Sequence, residues 1–197
     1  MLSLELLDKN IAECKEYVEA GKEDQSALDY FLKLREDLTN ASEADWNAYN
    51  ELTDHLPDKD ADPVLIILKG QLLIEKLVRK FVASRLPNPE AFQKQNITAA
   101  QCIAIAESMC LANDEPKWLW AQVKELNAIR NKLAHSLENE KVETRIESFV
   151  STVSNAQGLH SKTLTSVIAR LYGMLKGLCD LAESNEFRFY KKNITSG

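Results

Sequence analysis

The chain has 197 residues, of which 45% are apolar and 27% are charged, which is ordinary for a globular protein. This length lies near the upper end of the range of a single domain and favours one core with an appended segment over two independent domains. The formal net charge of −6 and the isoelectric point of about 5.2 are unusual for a strong RNA-binding protein.

Composition and periodicity both favour helices. Only 6 Gly and 5 Pro leave little material for turns, so long elements with few connections are expected. Leu, Ala, Glu, Lys and Gln recur at helical spacing, whereas the Val/Ile/Thr alternation of strands is scarce. The sequence therefore predicts an all-α fold.

The first part of the chain, residues 1–60, is predicted to be an acidic helical extension. Residues 1–62 carry 17 acidic and 6 basic side chains, a net charge of −11, whereas residues 63–150 and 151–197 have net charges of +2 and +3. A solvated acidic face is the simpler explanation of this charge. The alternative is that the segment covers a basic surface elsewhere, or competes with phosphates for it.

Three short amphipathic helices are predicted in this extension, from about Leu4 to Val18, from about Ser26 to Leu38, and after Ser42. The third helix has an aromatic and apolar face formed by Trp46, Tyr49 and Leu52. Such a face favours docking onto the rest of the protein over ligand binding.

Pro57 to Pro63 is the predicted linker, because it concentrates charges and helix breakers. Residues 63–184 are predicted to form a helical bundle, and residues 185–197 a C-terminal tail. The first bundle helix, Pro63 to about Arg85, is apolar around much of its circumference, as expected of a central helix. Further helices are predicted after Asn88-Pro89, from Thr98 to about Cys110, from Asn113 or Asp114 through Arg130 towards Leu137, from Val142 to Val153, and from Lys162 to Ala182.

Signals of several common protein classes are missing from the sequence. It has no glycine-rich phosphate loop, no G-x-S-x-G elbow and no Cys/His cluster, so no metal or cofactor is expected. The four cysteines are expected to be buried, reduced thiols. The run from Val64 to Val82 is interrupted by charges, and the N-terminal residues lack the pattern of a signal peptide. A cytoplasmic protein without a membrane segment is therefore expected.

The sequence Arg-Asn-Lys-Leu-Ala-His places Arg130 and His135 five positions apart near the end of a long predicted helix. The polar Asn131 follows the arginine, and an earlier Leu-rich helix contains Leu-Leu-Ile-Glu-Lys-Leu. This R-x(4)-H spacing in its helical context resembles the HEPN superfamily, including relatives of the mannitol operon repressor. The resemblance covers about residues 63–184 and implies a helical bundle, which in many HEPN proteins is a metal-independent RNase.

The resemblance further implies a homodimer in which two Arg130/His135 pairs line one cleft. On one ideal helix Asn131 and His135 share a face, whereas Arg130 is rotated by about 140° from His135. In such a site His135 takes the proton of a ribose 2′-hydroxyl, and Arg130 binds the phosphate as a 2′,3′-cyclic product forms. The position two residues after the histidine is Leu137 and not the tyrosine of some HEPN toxins, so adenylylation there is not supported.

Two functional interpretations follow. The first is a HEPN endoribonuclease of host-defence or toxin type, acting on RNA and regulated by a protein antitoxin. The second is a non-catalytic HEPN-like interaction or regulatory module that holds a partner through the Arg130/His135 surface or the Trp46 face.

Glu75 is predicted to support the catalytic group, because it is the one acid in the apolar stretch from Val64 to Val78. A largely buried carboxylate needs a cationic or hydrogen-bonding partner. Arg130 is the expected partner, and Arg79, one helical turn away, is the alternative.

Overall fold

The computed structural model describes residues 4–22, 24–110, 117–135, 140–159 and 161–183. These ranges contain nine α-helices and no β-strand, which confirms the predicted all-α class. The helices are α1 (Leu4–Glu19), α2 (Gln25–Thr39), α3 (Glu43–His55), α4 (Pro63–Arg85), α5 (Pro89–Gln93), α6 (Ala99–Met109), α7 (Lys117–His135), α8 (Glu140–Gln157) and α9 (Leu164–Glu183). None of these helices has the length and apolar character that a bilayer crossing requires.

The chain divides into two compact units, Met1–Thr53 and Asp54–Gly197. In the first unit α1 packs against α2, with Leu7 and Leu28 buried. An ion pair between Arg35 Nε and Asp8 Oδ1 at 2.5 Å joins the two helices at the surface.

The aromatic face predicted on the third helix lies on α3. No residue of this helix is buried, and Trp46, Tyr49 and Leu52 each keep part of their surface exposed. The rings of Trp46 and Tyr49 contact each other edge to face, with their centroids 6.0 Å apart. The docking role of this face stays a prediction.

Helix α4 is the centre of the second unit, as its apolar circumference predicts. It packs against α5, α6, α7 and α9. Its start is set locally, because Asp62 Oδ1 accepts a hydrogen bond from Val64 N at 2.9 Å and Pro63 occupies the first turn. Ten of its residues are buried, namely Ile66, Ile67, Gly70, Gln71, Leu73, Ile74, Leu77, Val78, Phe81 and Val82.

Helix α9 runs parallel to α4 and touches it closely. Gly70 faces Ile168, and further along both helices Cys179 Sγ contacts Leu77 O at 3.4 Å. A Cβ atom at position 70 would lie 2.7 Å from Ile168 Cδ1 and 2.8 Å from Ile168 Cγ2. Glycine therefore permits an approach of the two helices that a larger residue would block.

Helix α7 runs antiparallel to α4. Gln71 of α4 pairs with Asn127 of α7, and Phe81 packs against Trp120 with ring centroids 5.9 Å apart. Because the two helices run in opposite directions, the C-terminal turns of α7 lie beside the first turns of α4. The motif from Arg130 to His135 is therefore at the end of the unit where α4 and α9 begin.

Helices α6 and α8 pack against α7, and α8 also contacts α9. A capping box between Thr98 and Gln101 starts α6, which packs on both α4 and α7. Helix α8 is tied to α7 by an ion pair of Arg145 with Glu125, in which Nη2 lies 2.8 Å from Oε2. The predicted start of α7 at residues 113–116 lies outside the described residues, as does the predicted tail.

Candidate functional site

The sequence motif occupies the last two turns of α7. Leu126 and Ile129 are fully buried and hold this part of the helix against the core, whereas Arg130 is exposed. Arg130 Nη1 donates a hydrogen bond to Asn131 Oδ1 at 3.0 Å. The two neighbours thus form one polar group at the surface of the bundle.

This hydrogen bond determines which way the Arg130 side chain extends. Asn131 and His135 are four residues apart on α7 and share a helix face. Since Arg130 contacts Asn131, its guanidinium is turned towards that shared face, although position 130 itself lies on a different face of the helix. His135 is the last residue of α7; its side chain, like Leu137, lies outside the described part of the chain.

A buried amide pair adjoins this face and is missed by the sequence reasoning. Gln71 Nε2 donates to Asn127 Oδ1 at 3.2 Å, and the two residues are only 2% and 7% exposed. Asn127 lies one turn before Asn131, so a polar stripe of Asn127, Asn131 and His135 runs from the interior to the end of α7. The amide oxygen Oε1 of Gln71 has no hydrogen-bond partner among the described residues.

Two amides within apolar helix stretches are a sequence signal that could have suggested such a pair. Buried amides need partners, and Gln71 and Asn127 each lie where the periodicity predicts a core position. The sequence does not say which of them faces the other.

Glu75 pairs with Arg79, the alternative partner, and the expected pairing with Arg130 is not made within the described chain. Arg79 donates to Glu75 Oε1 from Nη2 at 2.6 Å and from Nε at 2.8 Å. Relative to the Gln71–Asn127 contact, Glu75 lies four residues to one side and Arg130 three to the other. The antiparallel packing therefore separates them by about 10 Å along the helix axis.

The cysteines provide no nucleophile for this site. Cys14, Cys102 and Cys179 are buried and Cys110 is partly exposed, and all four are free thiols, so the prediction of buried thiols is confirmed for three of them. Burial raises the pKa of Cys102, and it raises the pKa of Cys179 to about 11. At neutral pH these two thiols are protonated and poorly nucleophilic.

Arg130 and Asn131 thus form a small cationic group at the surface, in which the guanidinium is hydrogen-bonded to a neutral amide. Such a group can bind a phosphate or carboxylate, because a guanidinium is cationic and its contacts with the described residues use one of its N–H donors. No family model matches this sequence, and the comparisons with curated proteins and with solved structures give no match either.

Proposed function

We propose that the protein is a HEPN-type endoribonuclease of host-defence or toxin type, which cleaves RNA without a metal at an Arg130/His135 site in a homodimer interface. The observation that carries this proposal is the hydrogen bond from Arg130 to Asn131, on the face that Asn131 shares with His135. It supports a site at the end of α7 in which the Arg130 guanidinium and the His135 imidazole act on the same phosphate.

Each residue has a distinct role in the proposed reaction. His135 takes the proton from a ribose 2′-hydroxyl, whose oxygen attacks phosphorus and forms the 2′,3′-cyclic phosphate. Arg130 stabilises the negative charge that grows on the phosphate oxygens, and Asn131 orients Arg130. As the bond from phosphorus to the 5′-oxygen breaks, the partner subunit's His135 protonates the leaving oxygen.

The surface of α4 beside the motif supports a homodimer. Arg130 lies three residues beyond Asn127 and is therefore about level with Leu68 of α4. Leu65, Leu68 and Leu72 are exposed, and Leu72 keeps 60% of its surface accessible. An apolar stripe of this kind is typical of a protein contact surface, and a second copy on it would bring two motifs together.

A second candidate is a non-catalytic HEPN-like interaction or regulatory module. The formal net charge of −6 favours it, because an acidic protein attracts RNA weakly and suits a basic protein partner. In the first interpretation the protein partner is an antitoxin, and in the second it is the regulated protein. Both place the protein in the cytoplasm.

Incubation of total RNA with the protein in EDTA tests the proposal. We expect cleavage that leaves cyclic phosphate ends and falls by roughly 100-fold or more in His135→Ala, since acid–base catalysis contributes about that much. His55→Ala is the matched control and should cleave like the wild type. Equal degradation by wild type and His135→Ala would indicate contamination or another site. No cleavage by either would favour the interaction module.

A further inference from the structure

A concave surface, which we call the α4–α5 groove, lies on α4 away from the motif. It has a volume of about 350 Å³. Its lining residues are Lys76, Arg79, Lys80 and Ala83 of α4 and Phe92 and Gln93 of α5. Three cations within five residues thus face an aromatic ring and an amide, and no acid is among the lining residues.

Arg79 is held in place at the groove. Its Nε and Nη2 donate to Glu75, and Nη2 also donates to Ile97 O at 2.7 Å. Nη1 makes no hydrogen bond to any described residue, so its two N–H groups remain for a ligand. Because the guanidinium is already fixed, a ligand loses little side-chain entropy in binding it.

Lys80 is tethered only weakly. It forms an ion pair with Glu183 at 3.2 Å, and the two side chains are 47% and 42% exposed. Exposed pairs of this kind contribute little to stability, so an anion can take over Lys80 at small cost. Lys76 is exposed on the same side of α4. Because Glu75 and Glu183 offset two of the three cations, the groove keeps a small excess of positive charge, and the exposed Lys80 pair is the one that an anion can displace.

Cations, an aromatic ring and an amide together fit a nucleotide. Lysine and arginine bind phosphates, whereas an aromatic face stacks on bases of any sequence. The partly exposed Phe92 supplies such a ring, and a volume of about 350 Å³ is at the small end of ligand sites, which span roughly 300–1000 Å³. A small site of this kind suits single nucleotides of a strand.

We infer that the α4–α5 groove binds single-stranded RNA, with Lys76, Arg79 and Lys80 on its phosphates and Phe92 stacked on a base. The identity of the strand as RNA rests on the proposed function; the geometry alone specifies a single-stranded polynucleotide. Lys80 is about 18 Å from the level of Arg130 along the axis of α4. The groove therefore retains the substrate and takes no part in the cleavage chemistry.

Fluorescence anisotropy with a short labelled 2′-O-methyl RNA tests this inference, because that probe lacks the 2′-hydroxyl needed for cleavage. We expect the Lys76→Gln/Lys80→Gln double variant to bind about tenfold or more weakly at low salt. Its slope of log K against log salt should be smaller by about 1.4, the effect of two lost phosphate contacts on a single strand. Phe92→Leu should lose about fivefold or more, while Phe92→Tyr keeps the affinity.

Lys117→Gln is the charge-matched control, because Lys117 is exposed on α7, which packs on the Gln71 and Phe81 side of α4. It should bind like the wild type. Unchanged binding by the double lysine variant, an equal loss in Lys117→Gln, or no binding by the wild type would overturn the inference. An unchanged affinity in Phe92→Leu would overturn the assignment to a nucleotide.

The two proposals fail separately. A wild-type protein that binds the probe through the groove but cleaves no RNA refutes the nuclease and leaves the groove. A nuclease whose KM for RNA is the same in the double lysine variant refutes the groove and leaves the nuclease.

Discussion

Replacement of Gly70 by alanine tests the close packing of α4 on α9. The added Cβ would lie 2.7 and 2.8 Å from two carbons of Ile168, which is fully buried and has little room to move. Overpacking of this kind costs about 1–3 kcal/mol. Alanine also stabilises a helix interior by about 1 kcal/mol relative to glycine, so the net loss should be up to about 2 kcal/mol.

Gly173 and Gly177 of α9 are the matched controls. A Cβ atom at either position would have no neighbour within 4 Å, so Gly173→Ala should gain about 1 kcal/mol from helix propensity alone. The propensity gain cancels when Gly70→Ala and Gly173→Ala are compared. Their difference in the free energy of unfolding, about 1–3 kcal/mol, measures the cost of the steric contact alone.

Urea unfolding followed by circular dichroism supplies these free energies. If Gly70→Ala is as stabilising as Gly173→Ala, the inference that α4 and α9 approach closely at Gly70 is wrong. The contact can also be relieved from the other side. In an Ile168→Ala background the conflicting methyl groups are gone, so Gly70→Ala should lose its penalty despite the lower stability of that background.

Three further predictions concern polar pairs. A hydrogen bond from Arg145 holds the pKa of Glu125 below its ordinary value of 4.5, so this pair stabilises the fold above that pH and loses its effect as the pH falls through the lowered pKa. The stability difference between wild type and Glu125→Gln should be at most about 1 kcal/mol, because both side chains are about a third exposed. In urea titrations at pH 3 this difference should shrink, and a constant difference would contradict the prediction. Asn127→Leu leaves Gln71 buried without a partner, so it should lower the free energy of unfolding by about 1–3 kcal/mol in thermal or urea unfolding. The Gln71→Leu/Asn127→Leu double variant should lose little more stability than Asn127→Leu, and additive losses would mean that the two amides do not interact. In the proposed nuclease, Arg130→Lys keeps the charge but loses the planar fork, so most cleavage activity should be lost in rate measurements while RNA affinity by anisotropy is largely kept. Full activity in this variant would remove Arg130 from the proposed chemistry.

Helix boundaries were predictable because their signals are local. Asp62 and Pro63 start α4 through contacts within three residues, and Thr98 starts α6 in the same way. The pattern of apolar residues also identifies α4 as central, because too much of its surface is apolar for a peripheral helix.

Pairings between helices were less predictable, because they depend on direction and rotation that no local signal encodes. Glu75 had two possible cationic partners, and the choice between Arg79 and Arg130 required knowing that α7 runs antiparallel to α4 at the level of Gln71. The contact of Gln71 with Asn127 joins residues 56 positions apart, so periodicity marks both as interior without pairing them.

The spacing of Arg130 and His135 can be read from the sequence, whereas the direction of the Arg130 side chain cannot. Spacing alone places Arg130 and His135 on different faces of the helix. The hydrogen bond of the Arg130 guanidinium to Asn131 depends on the side-chain rotamer of Arg130, which no local sequence signal encodes.

The pairing of α4 with α9 has a consequence for synthesis of the chain. Leu77 and Cys179 meet in the most extensive helix contact among the described residues of the second unit, and they are separated by 102 residues. At about 5–20 residues per second, a ribosome completes α4 roughly 5–20 s before the matching part of α9. During that interval the Gly70 side of α4 has no native cover, so its apolar surface stays exposed until α9 is made.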